Sequence, residues 1–120
     1  MKKIAIALLL MVSTNVSADV MHYSLCSLNE GKSMADAQQW LDDWRTLVSK
    51  EDITYSVRLL LPHASPQGLG DFFIEGATPT LSTYAAAWDW WYSDEKAAAS
   101  NAQLMSVATC TENSVYMTTD

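Results

Sequence analysis

The two cysteines constrain the fold of this chain more than any other feature. Cys26 lies in a stretch, Val20–Leu28, whose apolar and polar residues loosely alternate, and Cys110 lies in the last stretch of this kind. Such alternation is typical of a β-strand with one buried face. Two cysteines outside any Cys-x-x-Cys arrangement predict a structural disulfide in an exported protein. The alternative, a reactive thiol, needs basic neighbours that neither cysteine has.

The start of the chain predicts export. Two lysines precede an apolar run, residues 4–12, and small residues follow up to Ala18. This order of basic, apolar and small residues is typical of a secretory signal peptide. We expect a signal peptide at 1–18 and a single mature domain at 19–120, located in the periplasm or secreted. The apolar run is shorter than the roughly 20 residues that span a bilayer. An uncleaved membrane anchor is the alternative.

The composition of the mature chain argues against several classes of function. Removal of residues 1–18 leaves five basic side chains against fourteen acidic ones. Nucleic-acid binders neutralise phosphates with clustered Lys and Arg, and no such cluster exists here. The sequence also contains no Gly-x-Ser-x-Gly elbow, phosphate loop or dinucleotide fingerprint. Its two histidines lack the spacing of metal ligands. We therefore expect no cofactor, metal or nucleic-acid partner, and no membrane association after cleavage.

The order of the predicted elements indicates an α+β fold. Strands are expected at 20–28, 54–61, 71–76 and 109–118, and helices at 34–48 and from 80 onwards, the second broken near 93–94 and continued to 107. The order β-α-β-β-α-β is that of the ferredoxin-like fold. In this fold the four-stranded antiparallel sheet has the order 4-1-3-2, and both helices cover one face. Strands one and four are then antiparallel neighbours, which brings Cys26 close to Cys110.

The same pairing assigns side chains to the two faces of the sheet, because side chains alternate with a period of two. We assign Met21, Tyr23 and Leu25 to the face that the helices cover. His22, Ser24 and Cys26 then lie on the opposite, open face. The alternation of the last strand assigns Cys110, Glu112, Ser114 and Tyr116 to the same open face.

The open face collects the candidate catalytic residues. His22 beside Glu75 or Glu112 is a candidate general base, because a carboxylate can move the pKa of a histidine toward the working pH. Arg58 and Tyr116 are candidate ligand-binding residues, and Arg58 suits a carboxylate or enolate. The alternative is structural: Arg58 pairs with Glu75 across the hairpin, and His22 lies in a wet seam of a dimer.

Two further candidate ligand-binding residues lie outside the sheet. In the run Trp88-Asp-Trp-Trp-Tyr92, Trp88 and Trp91 share the apolar stripe of the second helix, whereas Trp90 points elsewhere. Trp90 is a candidate for stacking on a sugar or aromatic ligand, or for filling the pocket of a partner. His63, in a loop rich in Pro and Gly, is a candidate gate for a ligand.

By element order, an aromatic-rich second helix and a mixed open face, the mature chain resembles the dimeric α+β barrel superfamily. This resemblance implies a homodimer of ferredoxin-like protomers that pair through their open sheet faces. Members include cofactor-independent monooxygenases, haem-degrading enzymes, dye-decolourising peroxidases and stress-response proteins. The chain is also similar to small exported bacterial proteins of uncharacterised function, through Tyr23-x-x-Cys26 and the turn Asn29-x-Gly31-Lys32. That similarity implies no activity.

Two functions remain open at this point. The first is a non-enzymatic exported homodimer that binds a small apolar or aromatic molecule, or a protein partner. The second is a cofactor-independent enzyme of the monooxygenase or isomerase type, which uses His22 with Glu75 or Glu112. The enzyme needs an enclosed pocket in which His22 reaches a carboxylate, whereas the binder needs only an apolar cavity.

Overall fold

A computed structural model describes residues 19–64 and 70–119 of the chain. The predicted signal peptide, residues 1–18, lies outside the described residues, as does part of the predicted Pro- and Gly-rich loop. The elements follow the order β1 (Val20–Leu28), α1 (Met34–Val48), β2 (Ser56–Leu60), β3 (Phe72–Thr78), α2 (Leu81–Ser93), α3 (Glu95–Val107) and β4 (Ala108–Met117). Within the described ranges, no helix is both long and apolar enough to cross a bilayer.

The sheet has the predicted topology. Its four strands lie in the order β2-β3-β1-β4, and each neighbouring pair is antiparallel. The predicted disulfide joins Cys26 of β1 to Cys110 of β4, which face each other directly in the register. The ferredoxin-like fold class is therefore confirmed.

The helices pack on one face of the sheet and form the core with it. Trp40, Leu41 and Trp44 of α1 pack with Phe72 and Ile74 of β3 in a single buried cluster. Burying such side chains is the main source of stability in a domain of this size, at about 1.5–3 kcal/mol for each large apolar one.

A hydrogen bond fixes α1 against α3. The indole N–H of Trp40 donates to the backbone oxygen of Ser100 at 3.1 Å. Its second acceptor is the Ser100 hydroxyl, at 3.2 Å. The polar edge of this buried indole is therefore satisfied, as a stable core requires.

The predicted break in the second helix is a complete interruption between α2 and α3. Asp94 adopts an extended conformation there and is the N-cap of α3. Its carboxylate accepts hydrogen bonds from the backbone N–H groups of Lys96 and Ala97, at 2.8 and 3.1 Å. Such a cap satisfies two of the four N–H groups that the first turn of a helix leaves without a partner.

The assignment of side chains to the two sheet faces was wrong. Cys26 is completely buried under the helices. Because side chains alternate, His22 and Ser24 share this helix-covered face, and Met21 and Tyr23 lie on the open face. Position in the register alone did not show which face the disulfide occupied.

A β-bulge in β4 also made the predicted alternation of this strand wrong. The pairing with β1 shifts between Tyr23 and Leu25, opposite Glu112, which has a positive φ of 53°. The extra residue reverses the alternation of the rest of β4. Tyr116 consequently shares the open face with Tyr23, and the two rings lie 5.7 Å apart.

Candidate functional site

A cavity of about 220 Å³ lies between the helix-covered face of the sheet and the helices. All five tryptophans of the chain line it: Trp40 and Trp44 from α1, and Trp88, Trp90 and Trp91 from α2. The volume exceeds the roughly 150 Å³ that accommodates a benzene molecule. It is smaller than the roughly 300–1,000 Å³ of sites for drug-sized ligands. The cavity therefore suits a molecule of one or two rings.

The sheet supplies the polar floor of this cavity through His22, Ser24 and Asn113. The hydroxyl of Ser24 donates to the side-chain oxygen of Asn113. Asn113 follows the bulge residue Glu112 directly, and the register shift brings its side chain to the helix-covered face. The bulge thus adds a third polar side chain to the floor of the cavity.

His22 is buried on this floor and packs edge to face against Trp88, with ring centroids 5.0 Å apart. Burial lowers the pKa of His22 below its ordinary value of 6.5, and the neighbouring Asn113 side chain partly opposes that shift. The imidazole is consequently neutral at pH 7, with one nitrogen that donates and one that accepts a hydrogen bond.

Tyr55, just before β2, forms another part of the wall. Its hydroxyl lies so close to Gly76 that a Cβ at this position would be 2.0 Å away from it. Gly76 therefore makes room for the Tyr55 ring. Burial raises the pKa of Tyr55, and the nearby Trp88 side chain opposes the rise to a smaller extent. The phenol is thus a neutral hydrogen-bonding group in the cavity wall.

Three polar atoms of cavity-lining side chains are buried without a hydrogen-bond partner among the described residues. They are the Tyr55 hydroxyl oxygen and the indole nitrogens of Trp88 and Trp90. A buried donor without a partner costs about 1–3 kcal/mol, so such atoms are rare in folded proteins. The Trp88 side chain nevertheless lowers the pKa of Tyr55 as a hydrogen-bonding neighbour, so these two polar groups lie close to each other.

The open face carries a separate polar network. The hydroxyl of Tyr23 donates to one carboxylate oxygen of Glu75 at 2.9 Å, and Arg58 pairs with the other oxygen. The ion pair with Arg58 and the hydrogen bond from Tyr23 lower the pKa of Glu75, while burial opposes the shift. This arrangement matches the structural alternative for Arg58 and Glu75 and leaves no oxygen of the carboxylate without a contact.

The predicted catalytic group does not come together. Glu75 lies on the open face as expected, but His22 is on the other side of the sheet, and Glu112 is exposed in the bulge of β4. No Asp or Glu of the described residues lines the cavity that contains His22. A histidine–carboxylate pair is therefore not formed.

The predicted ligand-binding residues are divided among three places. Arg58 and Tyr116 lie on the open face. Trp90 lines the cavity beside Trp88 and Trp91. His63 is exposed after β2 and does not line the cavity. A ligand-binding role for each of them remains a prediction.

Tyr55 and Asn113 belong to the cavity but were missed by sequence reasoning. Asn113 could not be identified, because the alternating pattern of β4 does not indicate a bulge at Glu112. For Tyr55 a signal existed: Gly76 interrupts an apolar strand, and a glycine there often marks the close approach of another group. The partner of that approach could not be identified from the sequence.

No group of three or more metal-binding side chains occurs within residues 19–64 and 70–119. No family model and no curated protein sequence matches the chain.

Several solved structures match the fold over most of its length. SnoaB, a cofactor-independent oxygenase from Streptomyces nogalater, has a TM-score of 0.57 and 9% identity, covering 86% of this chain and 95% of that one. A DABB-family protein with a ferredoxin-like fold from Mesorhizobium loti has a TM-score of 0.55 and 11% identity, covering 82% and 95%. A dimeric ferredoxin-like protein of unknown function from Thermobifida fusca has a TM-score of 0.53 and 13% identity, covering 85% and 91%. At these identities the likeness concerns the fold alone.

Proposed function

Starting from the ferredoxin-like fold that the chain shares with dimeric α+β barrel proteins, we propose that it is an exported homodimer that binds a small aromatic molecule. The ligand lies in the cavity between the sheet and the helices of each protomer. The observation that carries this proposal is the cavity itself, which all five tryptophans line and which no Lys, Arg, Asp or Glu of the described residues lines.

Export is supported by two features of the chain. The predicted signal peptide at residues 1–18 has the layout of a secretory signal. The disulfide between Cys26 and Cys110 is of the kind that persists in oxidising compartments such as the periplasm. We expect the mature protein to be periplasmic or secreted.

The homodimer is supported by the chemistry of the open face. Apolar side chains surround the Tyr23–Glu75–Arg58 network there: Met21, Leu60, Phe73, Ala77 and Tyr116. Tyr116 is 58% exposed in the single chain. A sheet face that exposes several apolar side chains is typical of an interface rather than of a solvated surface. The similar protein from Thermobifida fusca is dimeric.

An enzymatic role is the second candidate. A neutral imidazole in an aromatic cavity can accept a proton from a bound substrate, and one similar structure is a cofactor-independent oxygenase. His22 would then act without Glu75 or Glu112, because neither reaches the cavity. Turnover of a bound compound that His22→Asn abolishes, at unchanged affinity, would distinguish this role from binding alone.

Mass spectrometry under non-denaturing conditions tests the binding proposal. Protein purified from its native host is expected to retain a small aromatic compound, which is released on unfolding. Ala87→Leu places extra atoms where a buried alanine lines the cavity, and the retained compound should be lost. The matched control is Ala86→Leu, one residue earlier on the same helix, exposed and outside the cavity lining. Wild-type protein without any bound compound, and without affinity for aromatic probes, would contradict the proposal.

A further inference from the structure

Among the residues that the structure describes, the lining of the cavity is exposed at one end only. From this geometry and from the charges around the exposed end, we infer that the ligand is an aromatic amine. Its rings lie in the cavity, and its single, positively charged ammonium group stays in contact with water at the open end. This inference rests on the proposed function, because it names the class of ligand for the same cavity.

Two exposed residues mark the open end. Of the described residues that line the cavity, only Tyr92 and Asn113 are exposed. The Asn113 side chain is a hydrogen-bonding neighbour of His22, whose ring packs against Trp88. The Trp88 ring in turn lies 5.5 Å from the ring of Tyr92. These contacts place Tyr92 and Asn113 around one opening, which is named the mouth of the cavity.

The opposite end of the cavity is closed by side chains. Val57 and Asn113 belong to the two edge strands, β2 and β4, so the cavity extends across the whole width of the sheet. At the β2 end, Trp44 and Val57 are buried, and Ile53 and Tyr55 are half-buried. A charge there would lose its hydration without gaining a counter-charge, since no Lys, Arg, Asp or Glu of the described residues lines the cavity. A ligand can therefore carry a charge only at the mouth.

The two elements that form the mouth carry negative charge and no positive charge. The only charged residue of α2 is Asp89, and the only one of β4 is Glu112. Asp89 lies three residues before Tyr92, so the two side chains are neighbours on the surface of the helix. The chain from residue 19 onwards also contains fourteen acidic side chains against five basic ones. This distribution of charge attracts a cation to the mouth and repels an anion.

The ring of Tyr92 also favours a cation. Tyr92 is 80% exposed although it lines the cavity, so its ring is accessible to a group that lies in the mouth. The face of a tyrosine ring attracts an ammonium group electrostatically. A neutral hydroxyl group in the same position gains much less from the ring. Tyr92 should therefore contribute directly to the selection of an amine.

Calorimetric titration at low ionic strength with four naphthalene derivatives tests the inference. 2-(Aminomethyl)naphthalene carries a cation at one end, 2-naphthylmethanol carries a neutral hydroxyl group there, and 2-naphthoate carries an anion. 2,6-Bis(aminomethyl)naphthalene carries a cation at both ends. We expect the monoamine to bind at least fivefold more tightly than the alcohol. It should bind at least tenfold more tightly than 2-naphthoate or the diamine, because the second cation of the diamine would enter the closed end.

Substitutions at the mouth should reduce the preference for the monoamine over the alcohol. We expect a reduction of at least threefold for Tyr92→Leu. Asp89→Asn should reduce the preference about twofold, because an exposed charge contributes little in water. The matched control is Asp52→Asn, which removes the same exposed charge beside Ile53 at the closed end and should leave the preference unchanged. Since the preference is a ratio of two affinities in one variant, a general loss of affinity does not alter it.

The possible results separate the inference from the function on which it rests. Binding of the alcohol or of 2-naphthoate as tightly as the monoamine would overturn the requirement for a positive charge and leave the binding cavity intact. Binding of the diamine as tightly as the monoamine would show that the cavity is not closed at the β2 end. Failure of all four probes to bind would overturn the proposed function and the inference with it. The comparison in the wild-type protein decides these points even if a variant does not fold.

Discussion

His22 is a buried residue whose environment affects the stability of the whole protein. Its imidazole is only 6% exposed and lies against the Trp88 ring. Sequence reasoning identified it as a candidate but placed it on the wrong face and beside a carboxylate. The structure places it in a cavity that no Asp or Glu of the described residues lines, so a positive charge on its imidazole is disfavoured.

This environment predicts a loss of stability in mild acid. Because the folded-state pKa of His22 is lowered from 6.5, the unfolded chain takes up a proton first as the pH falls below about 6.5. The free energy of unfolding therefore decreases below that pH, by at most about 1.4 kcal/mol per pH unit, until the folded state is protonated as well. Above pH 6.5 the residue has no effect. Urea unfolding at pH 7.5 and 5.5 measures the difference.

The matched variant for this measurement is His22→Asn, which cannot be protonated. It should lose less stability than the wild type between the two pH values. Glu75 does not interfere, because its pKa is lowered from 4.5 and its contribution is lost only in stronger acid. An equal loss in the wild type and the variant would show that His22 is not the group that titrates.

At the scale of elements, the periodic patterns predicted which helices and strands form. The irregular positions determined which side chains face the helices. The strand Val20–Leu28 and the helix ending at Val107 have the predicted bounds. Alternation and helical spacing arise from burial of one face, so the sequence records them directly. The bulge at Glu112 could not be predicted from the sequence pattern, since a bulge of this kind is usually marked by glycine.

The bulge also predicts a stabilising substitution. Glu112 has a φ of 53°, which costs a non-glycine residue roughly 1 kcal/mol because its Cβ approaches the backbone. Glu112→Gly should therefore raise the free energy of unfolding by about 1 kcal/mol. Glu112→Val should lower it, since a β-branched residue tolerates this conformation poorly. Denaturant unfolding of both variants measures these changes, and a destabilised glycine variant would show that β4 does not contain this bulge.

At the scale of the whole molecule, the disulfide and the order of elements were sufficient to derive the sheet topology. Two cysteines 84 residues apart join the first and last strands, and the ferredoxin-like order makes these strands neighbours. The cavity could not be derived in the same way. The cavity depends on how three helices pack on the sheet and on small gaps between large aromatic rings. The periodicity of the sequence does not determine either of these.

The proposed homodimer predicts a change of oligomeric state when the open face is altered. Wild-type protein should sediment as a dimer. Phe73→Glu places a charge among the apolar side chains of this face and should give a monomer with an unchanged far-ultraviolet circular dichroism spectrum. The control is Met105→Glu, at an equally apolar but outward position of α3 that is 65% exposed, which should remain dimeric. A wild-type protein that is monomeric at all concentrations would exclude the dimer.

The central claim is that the cavity under the helices binds a small aromatic molecule, and the tryptophan side chains report on it directly. In nuclear magnetic resonance spectra of ¹⁵N-labelled protein, each of the five indole N–H groups gives its own signal. Addition of a bicyclic aromatic compound such as tetralin should shift the indole signals of tryptophans that line the cavity, with Trp88 and Trp90 of α2 among them. The signal of Trp40, which donates to Ser100, should move least. Shifts confined to the backbone of the open face, or no shift of any indole signal, would contradict the account.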